Sequence, residues 1–143
     1  MGSDFLTSPF DNLLKPVDDH LIVHNELMTS LILGNKISIH STENGIPDID
    51  SLDIAIIGIP ENRNSIDYLG DDLNLNEIRK SFYNLFPGNW STRIADLGNL
   101  ILGENVEQTY GRIISLTSIL FEKNIIPIII GGSQDLLYAN YRA

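Results

Sequence analysis

The residues best placed to do chemistry lie near the end of the chain, in Gly131-Gly132-Ser133-Gln134-Asp135. They follow the apolar run Ile125-Ile126-Pro127-Ile128-Ile129-Ile130 and precede Leu136. The pattern is a buried strand that breaks at two glycines into a polar tripeptide opening a helix. Ligands of open α/β sheets bind just past the carboxyl ends of strands, which makes these five residues a candidate binding turn. Gly131-Gly132 would free backbone amides for an anion at the helix start. The spacing is not G-x-G-x-x-G, however, and no P-loop lysine follows, so a turn needing positive φ and close packing is the favoured reading. Nucleophilic catalysis by Ser133 has no support, because the three histidines are scattered and no strained serine turn is present.

Other clusters read more plainly as structure. Asp18, Asp19, His20 and His24 place two histidines at i and i+4, but the catalytic glutamate that zinc enzymes carry between them is missing, and a solvated helix start is favoured. Asp48, Asp50 and Asp53 lack the glycine and distal glutamate of a calcium loop and read as an acidic linker. Glu104 and Glu107 flank a helix start, where negative charge complements the helix dipole. Trp90, after Pro87-Gly88-Asn89, reads as a packing anchor rather than a ligand platform.

The elements that must position the turn follow a regular alternation from Leu52 onward. Ile54 to Ile59 is a continuous apolar run, as in a parallel strand covered on both faces. Pro60 to Asp72 is a polar loop. Asn76 to Phe86 carries Ile78, Phe82, Leu85 and Phe86 at helical spacing, and Pro87-Gly88 ends it. Thr92 to Leu97 is a second strand, with a loop expected through Gly98-Asn99. Val106 to Lys123 places Ile113, Leu116, Thr117, Leu120 and Phe121 on one helical face. Ile125 to Ile130 is the third strand, and a helix is expected from Gln134 onward. This βαβαβα series predicts an α/β fold with a parallel sheet and right-handed crossovers. If the strands are neighbours, Glu61, Asn62 and Asn99 join the Ser133 turn on one rim.

Residues 1–52 differ in texture and read as an amino-terminal extension and linker, with 53–143 forming the α/β region. Leu21, Ile22, Leu27, Met28, Leu31 and Ile32 suit one or two short helices, Gly34 a stop, and Lys36 to His40 a half-exposed strand. Ser41 to Ser51 is a loop.

Composition sets the outer bounds. At 143 residues and 43% hydrophobic content, the chain can build one core. Its net charge of -10, from 19 acidic and 9 basic residues, opposes binding to nucleic acid phosphates or an anionic membrane, and is compatible with small cationic substrates. With no cysteine, disulfides, thiolate catalysis and cysteine-ligated zinc are excluded, which fits a cytoplasmic location. No apolar run approaches the roughly 20 residues of a membrane span. Met1-Gly2-Ser3-Asp4 is acidic, unlike a secretory signal, and Leu6 occupies the position where a myristoylation motif needs Ser or Thr.

Several segments together resemble the ureohydrolase superfamily of arginase, agmatinase and formimidoylglutamase. They are Ile56-Ile57-Gly58-Ile59-Pro60, Ile78-Arg79, Asp96-Leu97-Gly98-Asn99-Leu100 and Pro127-Ile128-Ile129-Ile130-Gly131-Gly132. Asp96-Leu97-Gly98-Asn99 and Gln108-Thr109-Tyr110 are most similar to the formimidoylglutamase branch. The resemblance covers residues 53–143. It implies the amino-terminal part of a three-layer α/β/α arginase-like fold. It also implies, for a longer parent protein, a manganese pair that activates water for attack on an amidine or guanidino carbon.

Two departures bear on that chemistry. The family motif reads Gly-Gly-Asp-His-Ser, with its histidine a manganese ligand, whereas here Gly131-Gly132 is followed by Ser133-Gln134-Asp135 and Gln134 takes the ligand position. A neutral amide is a poorer ligand than imidazole. The Asp-x-His-x-Asp segment and the later carboxylate pair are absent from the chain. The helix begun by Leu136, Leu137, Tyr138 and Tyr141 reaches Ala143 without a cap, and three parallel strands leave an apolar edge. The resulting expectation is a portion of a longer ureohydrolase-like protein, itself inactive and without a metal site. The alternative is a non-catalytic α/β binding or assembly module that forms a homo-oligomer through its sheet edge.

Overall fold

The computed structural model describes residues 8–66, 68, 70 and 73–143. The readings made at Met1 to Leu6, and the Asp67, Leu69, Asp71 and Asp72 positions of the Pro60–Asp72 loop, lie outside them. The described elements run β1 (Leu14–Lys15), α1 (Asp19–Leu27), a 3-10 turn (Leu33–Asn35), β2 (Ser38–Ile39), β3 (Ile54–Gly58), α2 (Asn76–Tyr83), β4 (Ile94–Leu100), α3 (Val106–Glu122), β5 (Ile126–Ile130) and α4 (Leu136–Arg142).

β3 is central, parallel to β4 on one side and to β5 on the other. The chain thus leaves β3 through α2 to reach β4, then crosses back over β3 through α3 to reach β5. Crossovers of one hand running in opposite directions put their helices on opposite faces of the sheet. The packing agrees. Ile57, Leu97, Ile113, Leu116, Leu120 and Leu136 share one buried core, whereas Val17, Leu21 and Tyr83 form a smaller one with Phe82 and Ile39 beside it. The fold is α/β, with a mostly parallel sheet between helical layers.

Residues 8–52, read from sequence as extension and linker, supply two strands to this same sheet. β1 pairs antiparallel with the carboxyl half of β4, Leu14 opposite Leu100. β2 pairs parallel with its amino half, Ser38 opposite Ala95. Together they act as one interrupted edge strand. His40 joins the pieces: its backbone N–H donates to Asp96 O at 2.8 Å, its carbonyl accepts from Val17 N at 2.9 Å, and its ring Nδ1 lies 2.8 Å from Leu97 O. Phe10 and Leu14 are fully part of the main core.

The end of β4, the end of α2 and the cap of α3 differ from the sequence expectation, each for a local reason. β4 continues through Gly98-Asn99 instead of ending at Leu97. Its register against β3 shifts between Ile56↔Asp96 and Gly58↔Asn99, so β4 carries an extra residue there, and Gly98 takes a φ of +88°. A glycine in the left-handed region permits such a bulge without ending the strand. α2 stops at Tyr83, leaving Leu85 and Phe86 exposed, so their helical spacing was coincidental. At α3, Asn105 rather than a glutamate caps the helix, its side chain accepting from Gln108 N at 2.8 Å; Glu107 sits in the first turn. Trp90, expected as a packing anchor, is 44% exposed.

Candidate functional site

The carboxyl rim of the sheet carries two polar clusters, one on each face. The first is built around the β4 bulge. Asp96 lies fully buried on the strand, and Arg79 of α2 approaches it with two prongs, Nε to Oδ2 at 2.9 Å and Nη2 to Oδ1 at 3.0 Å. Tyr83, one turn further along α2, donates its phenol to Oδ2 at 2.6 Å. The bulge turns Gly98 N back onto Asp96 Oδ1 at 3.0 Å and presents Gly98 O to Arg79 Nη2 at 3.0 Å. It also aims Asn99 Oδ1 at Arg79 Nη1, 2.5 Å away. Buried ions need such complete pairing, since an unpaired one costs several kcal/mol. Burial, then the neighbouring Asp96 carboxylate, push the Tyr83 phenol far above its ordinary range, so it remains a donor. Above this network lies a cleft of about 450 Å³, bordered by Lys15, Pro60, Asn76, Arg79 and Asn99.

The second cluster joins the loop after β3 to the turn after β5. Glu61 is fully buried, and Arg63 grips it with Nε to Oε1 and Nη2 to Oε2, each at 2.7 Å. The same guanidinium donates to Glu104 O at 2.8 Å and Gly103 O at 3.0 Å. Thr109 of α3 donates to Glu61 Oε2 at 3.2 Å. The bonds from Arg63 outweigh the cost of burial and hold the Glu61 carboxyl below its usual range. The Glu61 backbone then receives Ser133 N at 2.9 Å, so β3 and β5 are tied together one residue past the glycine pair.

Gly131 and Gly132 have φ of +83° and +89°. A Cβ on Gly132 would stand 2.0 Å from Leu136 Cδ1, so the turn needs both the backbone freedom and the missing side chain. Ser133 donates its hydroxyl to Asp135 Oδ1, and Tyr110 donates its phenol to Asp135 Oδ2; Asn64 Nδ2 reaches the same oxygen at 3.2 Å. Burial opposes ionisation of Asp135, but the Ser133, Tyr110 and Asn64 donors outweigh it and keep the carboxyl below its usual range. The Gln134 side chain is exposed, while its carbonyl accepts from Leu137 N at 3.2 Å.

The structure therefore brings Glu61, Ser133 and Asp135 together, with Asn62 in the same loop. It places Asn99 across the sheet with Arg79, in the other cluster. Arg63, Thr109 and Tyr110, which complete the second cluster, had no signal in local spacing. Thr109 and Tyr110 were visible only within a motif resemblance.

Manganese takes carboxylate, imidazole and water donors. At the turn the available donors are an exposed amide, Gln134, and a carboxylate already held by three donors, Asp135. Among the described residues no group of three or more His, Cys, Asp or Glu is placed to hold a metal ion. These residues do not fit a manganese pair. His20 is exposed and His24 lies 3.2 Å from Asn84 Oδ1, so the two histidines of α1 have separate surroundings. Asp50 pairs with Lys123 and Asp53 with Arg93.

No family model matches the chain, and no curated protein matches it in sequence. Among solved structures it is similar to formimidoylglutamase from Bacillus subtilis subsp. subtilis str. 168, with a TM-score of 0.52 and 17% identity. That match covers 86% of this chain and 42% of the other, so the chain spans less than half the length of the protein it matches. What the two share is the fold, a mostly parallel sheet between helical layers. Among the described residues no helix is long and apolar enough to cross a membrane.

Proposed function

We propose that this chain is the amino-terminal sheet portion of a ureohydrolase-like protein, in which it serves as framework and rim for hydrolysis of an amidine or guanidino C–N bond. The observation that carries the reading is the contrast between the two sheet edges. β4 is covered by β1 and β2, whereas β5 has no strand beyond it among the described residues, and Ile126 and Ile128 are 62% and 44% exposed. Natural sheets cover or pair such edges, and further strands of the same fold would do so here. The metal ligands of the reaction would come from those later strands, since the Gln134 turn does not supply one. The test is to purify the protein with all sequence that follows Ala143, and to assay it for bound manganese and for turnover of formimidoylglutamate, agmatine and arginine. Turnover with stoichiometric manganese supports the reading; absence of both overturns its catalytic part.

A second reading is favoured by the committed donors around Asp135. It is a metal-free homologue that acts as a binding or assembly module, associating through the β5 edge with a second copy. Under that reading the chain has a concentration-independent dimer mass in solution, and Ile128→Lys converts it to monomer.

A further inference from the structure

Lys15 and Asn99 stand directly opposite each other where β1 pairs with β4. Opposed residues of an antiparallel pair send their side chains to the same face of the sheet, within reach of one another. α2 packs on that face, since its Arg79 meets the Asn99 side chain there. All three residues border the cleft of about 450 Å³ above the Asp96 network, and no residue of the Gly131–Asp135 turn enters its wall. Each of them keeps a donor unused. Arg79 Nε and Nη2 are committed to Asp96 and Gly98, and one N–H of Nη1 to Asn99 Oδ1. A guanidinium carries five N–H donors, so the second N–H of Nη1 has no acceptor among the described residues. Asp96, Tyr83 and Gly98 are not in the cleft wall and Asn99 is, so the guanidinium shows the cleft its Nη1 side. Asn99 Nδ2 donates to no described residue, and Lys15 Nζ has neither an ion pair nor a hydrogen bond with one. Arg79 is 1% exposed, and buried donors are ordinarily satisfied, so its leftover N–H marks a place for an acceptor from outside.

The charges set the class of ligand. Asp96 neutralises Arg79, which leaves Lys15 as the uncompensated cation of the wall. Asp18, the acid of the wall, has one oxygen on His20 N and the other on Asn76 Nδ2. A flat, singly charged acceptor with two oxygens matches one ammonium beside two N–H donors more closely than a phosphate does. Away from the donors the wall is apolar, from Pro16, Pro60, Leu73, Ile101 and Leu102. A mostly apolar cleft with a few convergent polar groups is the usual form of a small-molecule site. We infer that the cleft binds a short aliphatic monocarboxylate: one oxygen accepts from Arg79 Nη1 and Asn99 Nδ2, the other meets the Lys15 ammonium, and the hydrocarbon lies on Leu73 and Leu102. The assignment does not rest on C–N bond hydrolysis by a longer protein.

The probe is pentanoate, titrated into the isotope-labelled chain and followed by NMR at the Asn99 side-chain amide, the Arg79 Nε–H and the backbone amides of β1. Saturable shifts at these groups, with half-saturation at about 1–10 mM, are expected. Uncharged pentanamide of the same length should produce none. Lys15→Gln, at an exposed side chain, keeps the fold and should weaken binding by about two- to fivefold. Asn99→Asp keeps an oxygen for Arg79 but replaces the Nδ2 donor with an anionic oxygen, and should weaken binding more than about tenfold. Lys15→Gln decides the matter should Asn99→Asp not fold. Absence of saturable shifts up to about 50 mM, equal shifts from pentanamide, tighter binding of inorganic phosphate, or unchanged affinity in Lys15→Gln would each overturn the assignment.

Discussion

Glu61 and Arg63 stand two residues apart, yet their side chains meet in a two-pronged ion pair at 2.7 Å, and Arg63 reaches on to the carbonyls of Gly103 and Glu104. The pair is both a charge match and a tie between the β3 loop and the start of α3.

Because Arg63 holds the Glu61 carboxyl below its ordinary value, this group stabilises the fold above its unfolded-state pKa. That contribution is lost as pH falls through the lower folded-state value. Glu61→Gln should lower stability at neutral pH by about 3 kcal/mol, the low end for a buried pair because Arg63 keeps some water contact. It should also flatten the acid limb of a plot of denaturant midpoint against pH. An acid limb identical to that of the unsubstituted protein would contradict this account.

Gly98→Ala should be among the more damaging single substitutions. Its Cβ would stand 1.9 Å from Lys15 O at a φ of +88°. The strained backbone alone costs about 1–3 kcal/mol, and β1 must also move away. Thermal melting measures the loss. Hydrogen exchange at Ile101 N, bonded to Leu13 O at 2.8 Å, should quicken more than exchange within β3, because the damage begins at the β1 edge.

At the β5–α4 turn, Tyr110→Phe removes a donor from the Asp135 carboxylate. The titration of Asp135, followed by carbon NMR, should move up toward the ordinary aspartate value. A depressed carboxyl stabilises above its unfolded pKa and loses that effect as pH falls, so the variant should have less stability to lose in acid. An unmoved Asp135 titration would assign its depression to Ser133 and Asn64 alone.

Gln134→His introduces one imidazole at the turn. Calorimetry with manganese chloride should still show no stoichiometric uptake by this chain. A single imidazole beside a carboxylate held by Ser133, Tyr110 and Asn64 does not make a metal site. Tight uptake by the variant would mean that Asp135 exchanges its partners readily.

How much of this was legible beforehand depends on how far apart the interacting residues lie. α3 is a long amphipathic segment whose period resists misreading, β3 and β5 are short continuous apolar runs bounded by turn residues, and the glycine pair after β5 marks the turn through its own backbone needs. The two-residue β1 is too short to have a period, and the Leu14↔Leu100 pairing is a tertiary fact. Gly98 resembled a strand end because a left-handed glycine in a bulge and one in a loop look alike in sequence. Glu61 stood out as a polar residue after a strand. Its contact with Thr109, 48 positions away, is one that local spacing cannot register.

The interrupted edge made by β1 and β2 has a consequence for how the chain assembles. A polypeptide leaving a ribosome presents Leu14 and Ser38 long before Leu100 and Ala95, the residues against which they must pair. β1 and β2 therefore wait for β4, and contacts so distant in sequence form slowly. Assembly should nucleate on β3, β4 and α3, with β1 and β2 docking last. In a pulse-labelling experiment, amides of residues 14–15 and 38–39 would be the last of the sheet to gain protection.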